Sequence, residues 1–210
     1  MAQNHNKCVS KTTFSHTLPL RFMIVPMRKL ILIKHARPEI VPNVVPSRWN
    51  LAETSRVSCT ALAAKLALHS PAVLLTSAEP KAQQTADLLA AELSIPAEIT
   101  EGFHEHDRDD VPHMQTREFL SLMAMVFKQP HRHILGRESA DQASERFLKA
   151  IDGALTKHPS GNIGVVSHGT VIALAIAYHT GRDAYQLWRN MGLPSYAVLE
   201  LPDYSLTEMG

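Results

Sequence analysis

The sequence predicts an α/β fold: a three-layer α/β/α sandwich whose mostly parallel sheet carries helices on both faces and a small helical insertion. Three observations carry this. Short apolar runs alternate with helix-patterned segments, the order of strand, helix, strand, helix that a parallel sheet requires. The run "LILI" is continuous, as suits a strand buried on both faces. The chain has no internal repeat and no low-complexity segment.

Residues 30–33 are the first strand, and residues 38–46, with three prolines, are loop. Leu51, Cys59, Leu62 and Leu66 fall near helical spacing, with alanines between, so 51–68 reads as a helix. "AVLL" at 72–75 is a second short strand between Pro71 and Thr76-Ser77. An Ala/Leu/Gln-rich helix follows over 81–93, opened by Pro80, a residue at home in a first turn. A short strand at 97–100 precedes a polar, histidine-rich loop at 104–113. Residues 116–127 are helical and Met-rich, and Met114, Met123 and Met125 read as core or flap packing. The amphipathic helix of 139–158 starts at Ser139 or Asp141. The third strong strand is "NIGVV" at 162–166; "SHGT" is a turn, 171–178 an apolar helix, and a strand at 197–201 closes the chain. Because 104–138 interrupts the alternation, it reads as a helical flap over one edge.

With 210 residues, 45% hydrophobic and 20% charged, the chain suits one globular domain with a real core, expected over 29–210. No Asp or Glu precedes Glu39, whereas Lys7, Lys11, Arg21 and Arg28 do, so 1–28 reads as a basic extension. That extension is expected to be disordered, or a start called too early with the true start at Met27. "LPLRFMIVPM" places prolines and an arginine where a secretory apolar core belongs. A net charge of +1 gives no global field for nucleic acid or an anionic membrane, so neither partner is expected. No apolar run approaches the ~20 residues of a spanning helix. Cys8 and Cys59 make neither a disulfide framework nor a metal set, and a reducing, cytoplasmic setting is the expectation.

In an open α/β sheet, ligands bind outside the carboxyl ends of the strands. The first run ends at Lys34-His35-Ala36-Arg37, and the second at Thr76-Ser77 with Lys81 opening the next helix. The third ends at Ser167-His168-Gly169-Thr170, again entering a helix. If these strands are parallel neighbours, two histidines, two or three cations and two helix N-termini face one crevice. Free N–H groups and partial positive charge at helix N-termini make an anion site, so the constellation suits a phosphoryl group. Ser77 and Thr170 read as helix caps, and Gln83 and Thr85 as ordinary helix residues.

In order and spacing, "LILIKHAR", "TSAEPKAQQTA", "FHEHD", "GRESADQASERF" and "GVVSHGTVI" resemble the motif series of the histidine phosphatase superfamily, the phosphoglycerate-mutase-like fold. The resemblance covers roughly residues 29–201. It implies that His35 takes the phosphoryl group as phosphohistidine, that His168 flanks and hydrogen-bonds that group, and that Glu105 protonates the leaving oxygen. Lys34 and Lys81 stand where the family usually has phosphate-gripping arginines, and Ala36 where it usually has glycine. Lysine keeps the charge but loses the planar fork, so Arg37 or the better placed Arg48 of "PSRW" is expected to supply it. Gly169 completes the expected phosphate-binding set.

Elementary electrostatics agrees with those roles. A histidine nucleophile must be neutral, against an unperturbed pKa of about 6.5, and Lys34, Arg37 and Lys81 disfavour its protonated form. A carboxylate beside a phosphate dianion is driven to keep its proton, as an acid at Glu105 must. Cations and helix termini neutralise phosphoryl oxygens with no metal or other cofactor required.

The expected activity is therefore metal-independent hydrolysis of a small phosphomonoester, a phosphorylated metabolite. Two alternatives stay open: a mutase-type phosphotransferase that excludes water, and a non-catalytic phospho-ligand binder whose two lysines mark lost turnover. Other chemistry fits less well. "GVVSHG" is one residue too long for a nucleophile elbow. "HEHDR" has Arg108 where a dinuclear metal hydrolase needs Asp, and no phosphate loop or dinucleotide fingerprint occurs. Trp49, His113, Phe119 and Met123 describe a specificity region only as mixed apolar and polar. The last strand and the apolar flap leave room for a homodimer.

Overall fold

The structure is a computed structural model that describes residues 1, 27–112 and 114–210; most of the expected extension, and His113, lie outside the described residues. Six strands form one sheet: Lys29–Lys34 (β1), Pro71–Thr76 (β2), Ala97–Ile99 (β3), Asn162–Ser167 (β4), Ser195–Glu200 (β5) and Ser205–Met209 (β6). Their order is β3-β2-β4-β1-β5-β6. The first four run parallel, and β5 and β6 are added antiparallel at one edge, so the sheet is mixed.

The continuous apolar runs are explained by two-sided burial. Leu30 and Leu32 point into one core with Leu75, Val165 and Leu199, whereas Ile31 and Ile33 point into the other with Leu74, Val166 and Val198. All four β1 side chains are fully buried, each contributing about 2 kcal/mol of hydrophobic stabilisation. Helices Ser55–Ala67 (α1) and Pro80–Leu93 (α2) cover the second core. Thr116–Lys128 (α3), Ala140–Lys157 (α4), Gly169–Thr180 (α5) and Ala184–Asn190 (α6) cover the first. Met123 and Val126 of α3 are buried there, Met114 packs against it, and Met125 is partly exposed.

Ser139 rather than Asp141 opens α4, through a capping box. Its hydroxyl accepts from Gln142 N–H at 3.2 Å while the Gln142 side chain accepts from Ser139 N–H at 2.8 Å. Three boundaries differ from expectation. Helix α1 starts at Ser55, because Leu51 is taken up in a bridge to Pro38 across the proline loop. The "SHGT" turn is shorter than expected, with α5 beginning at Gly169. The chain does not end its sheet at β5: α6 precedes that strand and β6 follows it. Both additions are short and bury little, Leu187 alone in α6, so no periodic apolar signal marks them. Among the described residues, no helix is long and apolar enough to cross a membrane.

Candidate active site

Strand β4 lies between β1 and β2, so three parallel strand ends stand side by side. Lys34 is in register with Ser167, which makes His35 and His168 leave adjacent strands at one level. The ladder runs one residue further: His35 N–H donates to Ser167 O at 2.9 Å and Ser77 N–H to Val166 O at 3.0 Å. The two imidazoles meet edge to face with centroids 5.1 Å apart. The sequence-expected pair of histidines is thus brought together.

His35 Nδ1 lies 2.7 Å from the Ala36 carbonyl oxygen. A carbonyl only accepts, so Nδ1 carries the proton and Nε2 keeps its lone pair. Burial, foremost, holds the His35 pKa down to about 4; the Ala36 carbonyl opposes this, and Lys81 and Lys34 add to it. Ala36 N–H donates to Thr85 Oγ1 at 3.0 Å, and Thr85 Oγ1 donates to Lys81 O at 2.7 Å. Thr85, expected to be an ordinary helix residue, therefore ties the end of β1 to α2.

His168 is fully buried. Its Nε2 is 2.9 Å from Ser77 Oγ and 3.3 Å from Glu79 Oε1, and since a carboxylate only accepts, Nε2 carries the proton. Burial first, then His35, Lys81 and Arg108, hold its pKa well below the ordinary histidine range. Ser77 is not the α2 cap that the sequence suggested. Glu79 occupies that position, and the Ser77 hydroxyl faces His168.

Glu105 sits on the loop after β3. Its Oε1 accepts from His106 N–H at 2.9 Å, and its Oε2 accepts from Thr170 N–H at 3.3 Å and lies 3.5 Å from Arg108 Nη2. Burial raises its pKa, but Arg108 and these two N–H groups outweigh it, and the carboxyl rests below the usual range. The expected proton belongs to the pocket with a phosphate dianion in it; without one, the donors around Glu105 favour its carboxylate. The loop is clamped by Arg146, whose guanidinium donates to Gly102 O at 2.8 Å, His104 O at 3.0 Å and Glu105 O at 3.2 Å. Glu138 holds that guanidinium at 2.6 Å and accepts from Asp107 N–H at 2.9 Å. Gly136 has φ +83°, and a Cβ there would come 2.0 Å from Asp107 O, so the "GRES" turn can press on the loop only as glycine.

A pocket of ≈ 290 Å³ lies beside these groups, bordered by His35, Lys81, Glu105, Arg108, Trp49 and Asp109 among others. Lys81 is buried and lines it, with Nζ donating to Pro46 O at 2.7 Å and to Glu79 Oε2. Lys34 contributes charge from behind: its Nζ turns to Met191 O at 3.3 Å. Its pKa is lowered by burial, against the attraction of Glu105. Gly169 opens α5 with its Cα against that lysine, since a Cβ would lie 3.2 Å from Lys34 Cε. Arg37 and Arg48 are exposed and outside the pocket, so neither supplies the expected fork. Two guanidiniums border the pocket: Arg137, largely exposed and near Asp107, and the less exposed Arg108, which donates to Thr170 Oγ1 at 3.3 Å and lies over the Phe119 ring at 5.5 Å. Sequence reasoning passed over Arg108 as a failed metal ligand; its spacing of three from Glu105 was the available signal. Among the described residues no three His, Cys, Asp or Glu side chains are grouped so as to hold a metal ion.

No curated protein matches the chain. Solved structures share its fold at low identity. They include a mycobacterial glucosyl-3-phosphoglycerate phosphatase, with 17% identity, TM-score 0.67, 82% of this chain and 90% of that one covered. A phosphoserine phosphatase mutant from Entamoeba histolytica, in complex with phosphoserine, gives 17% identity, TM-score 0.68 and coverages of 87% and 96%. The alpha-ribazole phosphatase of Shigella flexneri gives 21% identity, TM-score 0.66 and coverages of 85% and 93%. The family model of the histidine phosphatase superfamily (branch 1) matches residues 30–207, nearly the whole span from the first strand to the last, and the chain belongs to that superfamily.

Proposed function

We propose that this histidine phosphatase hydrolyses a small phosphomonoester in two steps without a metal. In the first, His35 Nε2 attacks phosphorus; the N–P bond forms as the ester P–O bond breaks, and the leaving oxygen takes a proton from Glu105. In the second, water attacks the phosphohistidine and gives its proton to Glu105. The N–P electron pair returns to Nε2, and inorganic phosphate departs. The observation that carries this reading is the tautomer of His35: a neutral ring with its free lone pair beside His168, at the edge of a pocket holding Lys81 and Arg108. Glu105 rests ionised, and the arrival of a phosphoester dianion raises its affinity for a proton, so it is loaded as acid by the substrate itself.

Relatives of the same fold are named for chemically unlike phosphoesters, which supports a phosphomonoester as the class. A reducing, cytoplasmic setting goes with the buried free thiol of Cys59. The test is turnover of p-nitrophenyl phosphate with and without a chelator, in the wild type and His35→Ala. Activity is expected to survive the chelator and to fall about a thousandfold or more in the variant. Activity lost to the chelator, or absent across a panel of phosphorylated metabolites, overturns the reading.

A further inference from the structure

Glu79 is a carboxylate of the pocket that the phosphatase mechanism does not use. It stands at the N-cap position of α2 in extended backbone, where a side chain ordinarily turns back to the helix's own N–H groups. Glu79 makes no such bond. Its carboxylate is instead held by donors that a phosphoryl oxygen would need. Oε2 accepts from Lys81 Nζ, and Oε1 accepts from Glu105 N–H at 2.8 Å and lies 3.3 Å from His168 Nε2. Glu79 lines the pocket, whereas His168, the proposed flank of the phosphoryl group, is wholly buried and does not.

We propose that Glu79 is a built-in anion occupying the phosphoryl seat, and that an oxyanion binds there only together with a proton taken up by the Glu79 carboxyl. The inference rests on the reading of this pocket as a phosphoryl site. An ionised Glu79 repels an incoming dianion and keeps Lys81 and His168 engaged; a protonated one releases both donors and can itself donate a hydrogen bond. Lys81 of α2 and His168 at the start of α5 face it directly, and His35 after β1 shares the pocket, as do His104, Glu105, His106, Asp107, Arg108 and Asp109 from the loop after β3 and Arg137 beyond α3. Burial, against Lys81, already raises the Glu79 pKa in the free protein. Burial also lowers the pKa values of the neighbouring histidines, His35 to about 4, His168 well below its ordinary value and His104 below its own. Glu105 responds to an oxyanion as well, so the part played by Glu79 must be read as a difference between proteins.

Sulfate is the probe, because its own charge does not change across the range and its binding needs no turnover. Binding is measured by calorimetry in buffers of different ionisation enthalpy, for the wild type and Glu79→Gln, from about pH 5.5 to about pH 7.5. The variant is expected to bind sulfate about tenfold or more tightly near the upper pH and to take up about one proton fewer per sulfate. Equal or weaker binding with unchanged proton uptake overturns the inference. Should Glu79→Gln not fold, Glu79→Ser takes its place with the same two readouts, tighter sulfate binding near the upper pH and about one proton fewer taken up, and the same overturning result. Absence of sulfate binding in every protein overturns the phosphoryl seat and the inference together. Sulfate binding as expected with no turnover of p-nitrophenyl phosphate leaves Glu79 as assigned and removes only the catalytic reading.

Discussion

His35 and His69 are equally buried, each 7% exposed, at opposite ends of the same parallel strands. His69 precedes β2; its Nε2 is 3.3 Å from Glu208 Oε2 on the edge strand β6, and its carbonyl accepts from the Asn162 side chain at 2.7 Å. Tyr196 lies beside the ring at 5.9 Å and donates its hydroxyl to Glu208. That histidine fastens loop, sheet and edge together through a carboxylate. His35 has Lys81, Lys34 and a second imidazole around it, and a lone pair left over. Burial alone therefore marks neither ring as functional. What separates them is the company each ring keeps: His35 borders the cation-rich pocket beside a second imidazole, whereas His69 faces a carboxylate on the edge strand.

Exchanging the two side chains for alanine should break the comparison most visibly. His35→Ala is expected to reduce kcat on an aryl phosphate by about a thousandfold or more with the fold intact. His69→Ala should keep kcat within about threefold and lose about 1–3 kcal/mol of stability in urea unfolding, the range for a buried polar contact. Equal losses of activity in the two variants would contradict the division.

A smaller effect is expected from the cations. Arg108 lines the pocket beside Glu105 and Thr170, whereas Arg48 is exposed outside it. Arg108→Lys keeps charge but loses the fork, and should lower kcat/KM by about tenfold to a hundredfold. Arg48→Ala should stay within about twofold of the wild type. The reverse order, in steady-state assays at fixed ionic strength, would restore the proline-loop arginine to the site.

The contrast also shows which parts of the molecule were legible in the chain. The buried strands were, because Leu30, Ile31, Leu32 and Ile33 fill both cores and two-sided burial writes itself as an unbroken apolar run. His35 and His168 were, because each directly follows such a run. Strand β6 was not: it lies at the sheet edge with most of its residues exposed, so no burial pattern constrains it. Arg108, Arg146 and Glu79 were not, for a different reason. Arg146 is distant in sequence from the loop carbonyls it clamps, and only the folded loop aims Arg108 at Glu105. Glu79 looks like a helix cap until its side chain is seen turned into the pocket. The same blindness explains why exposed Arg37 and Arg48 were favoured over Arg108. Proximity in sequence stood in for proximity in space.

The smallest expected effect concerns acid stability, and it sharpens what burying a neutral ring costs. In the unfolded chain a histidine titrates at about 6.5, whereas folded His35 does so at about 4. Between those values the unfolded state binds more protons, so stability is fully present above about pH 6.5 and declines as pH falls toward about 4, by on the order of 3 kcal/mol in total. Below about pH 4 both states are protonated and this contribution levels off. His35→Gln removes the titrating ring. Urea unfolding of the ligand-free variant should accordingly lose less stability over that window than the wild type does. Parallel pH profiles for the two proteins would mean that the folded pocket accommodates a charged His35 without penalty, and the nucleophile would then lack the enforced neutrality on which its lone pair depends.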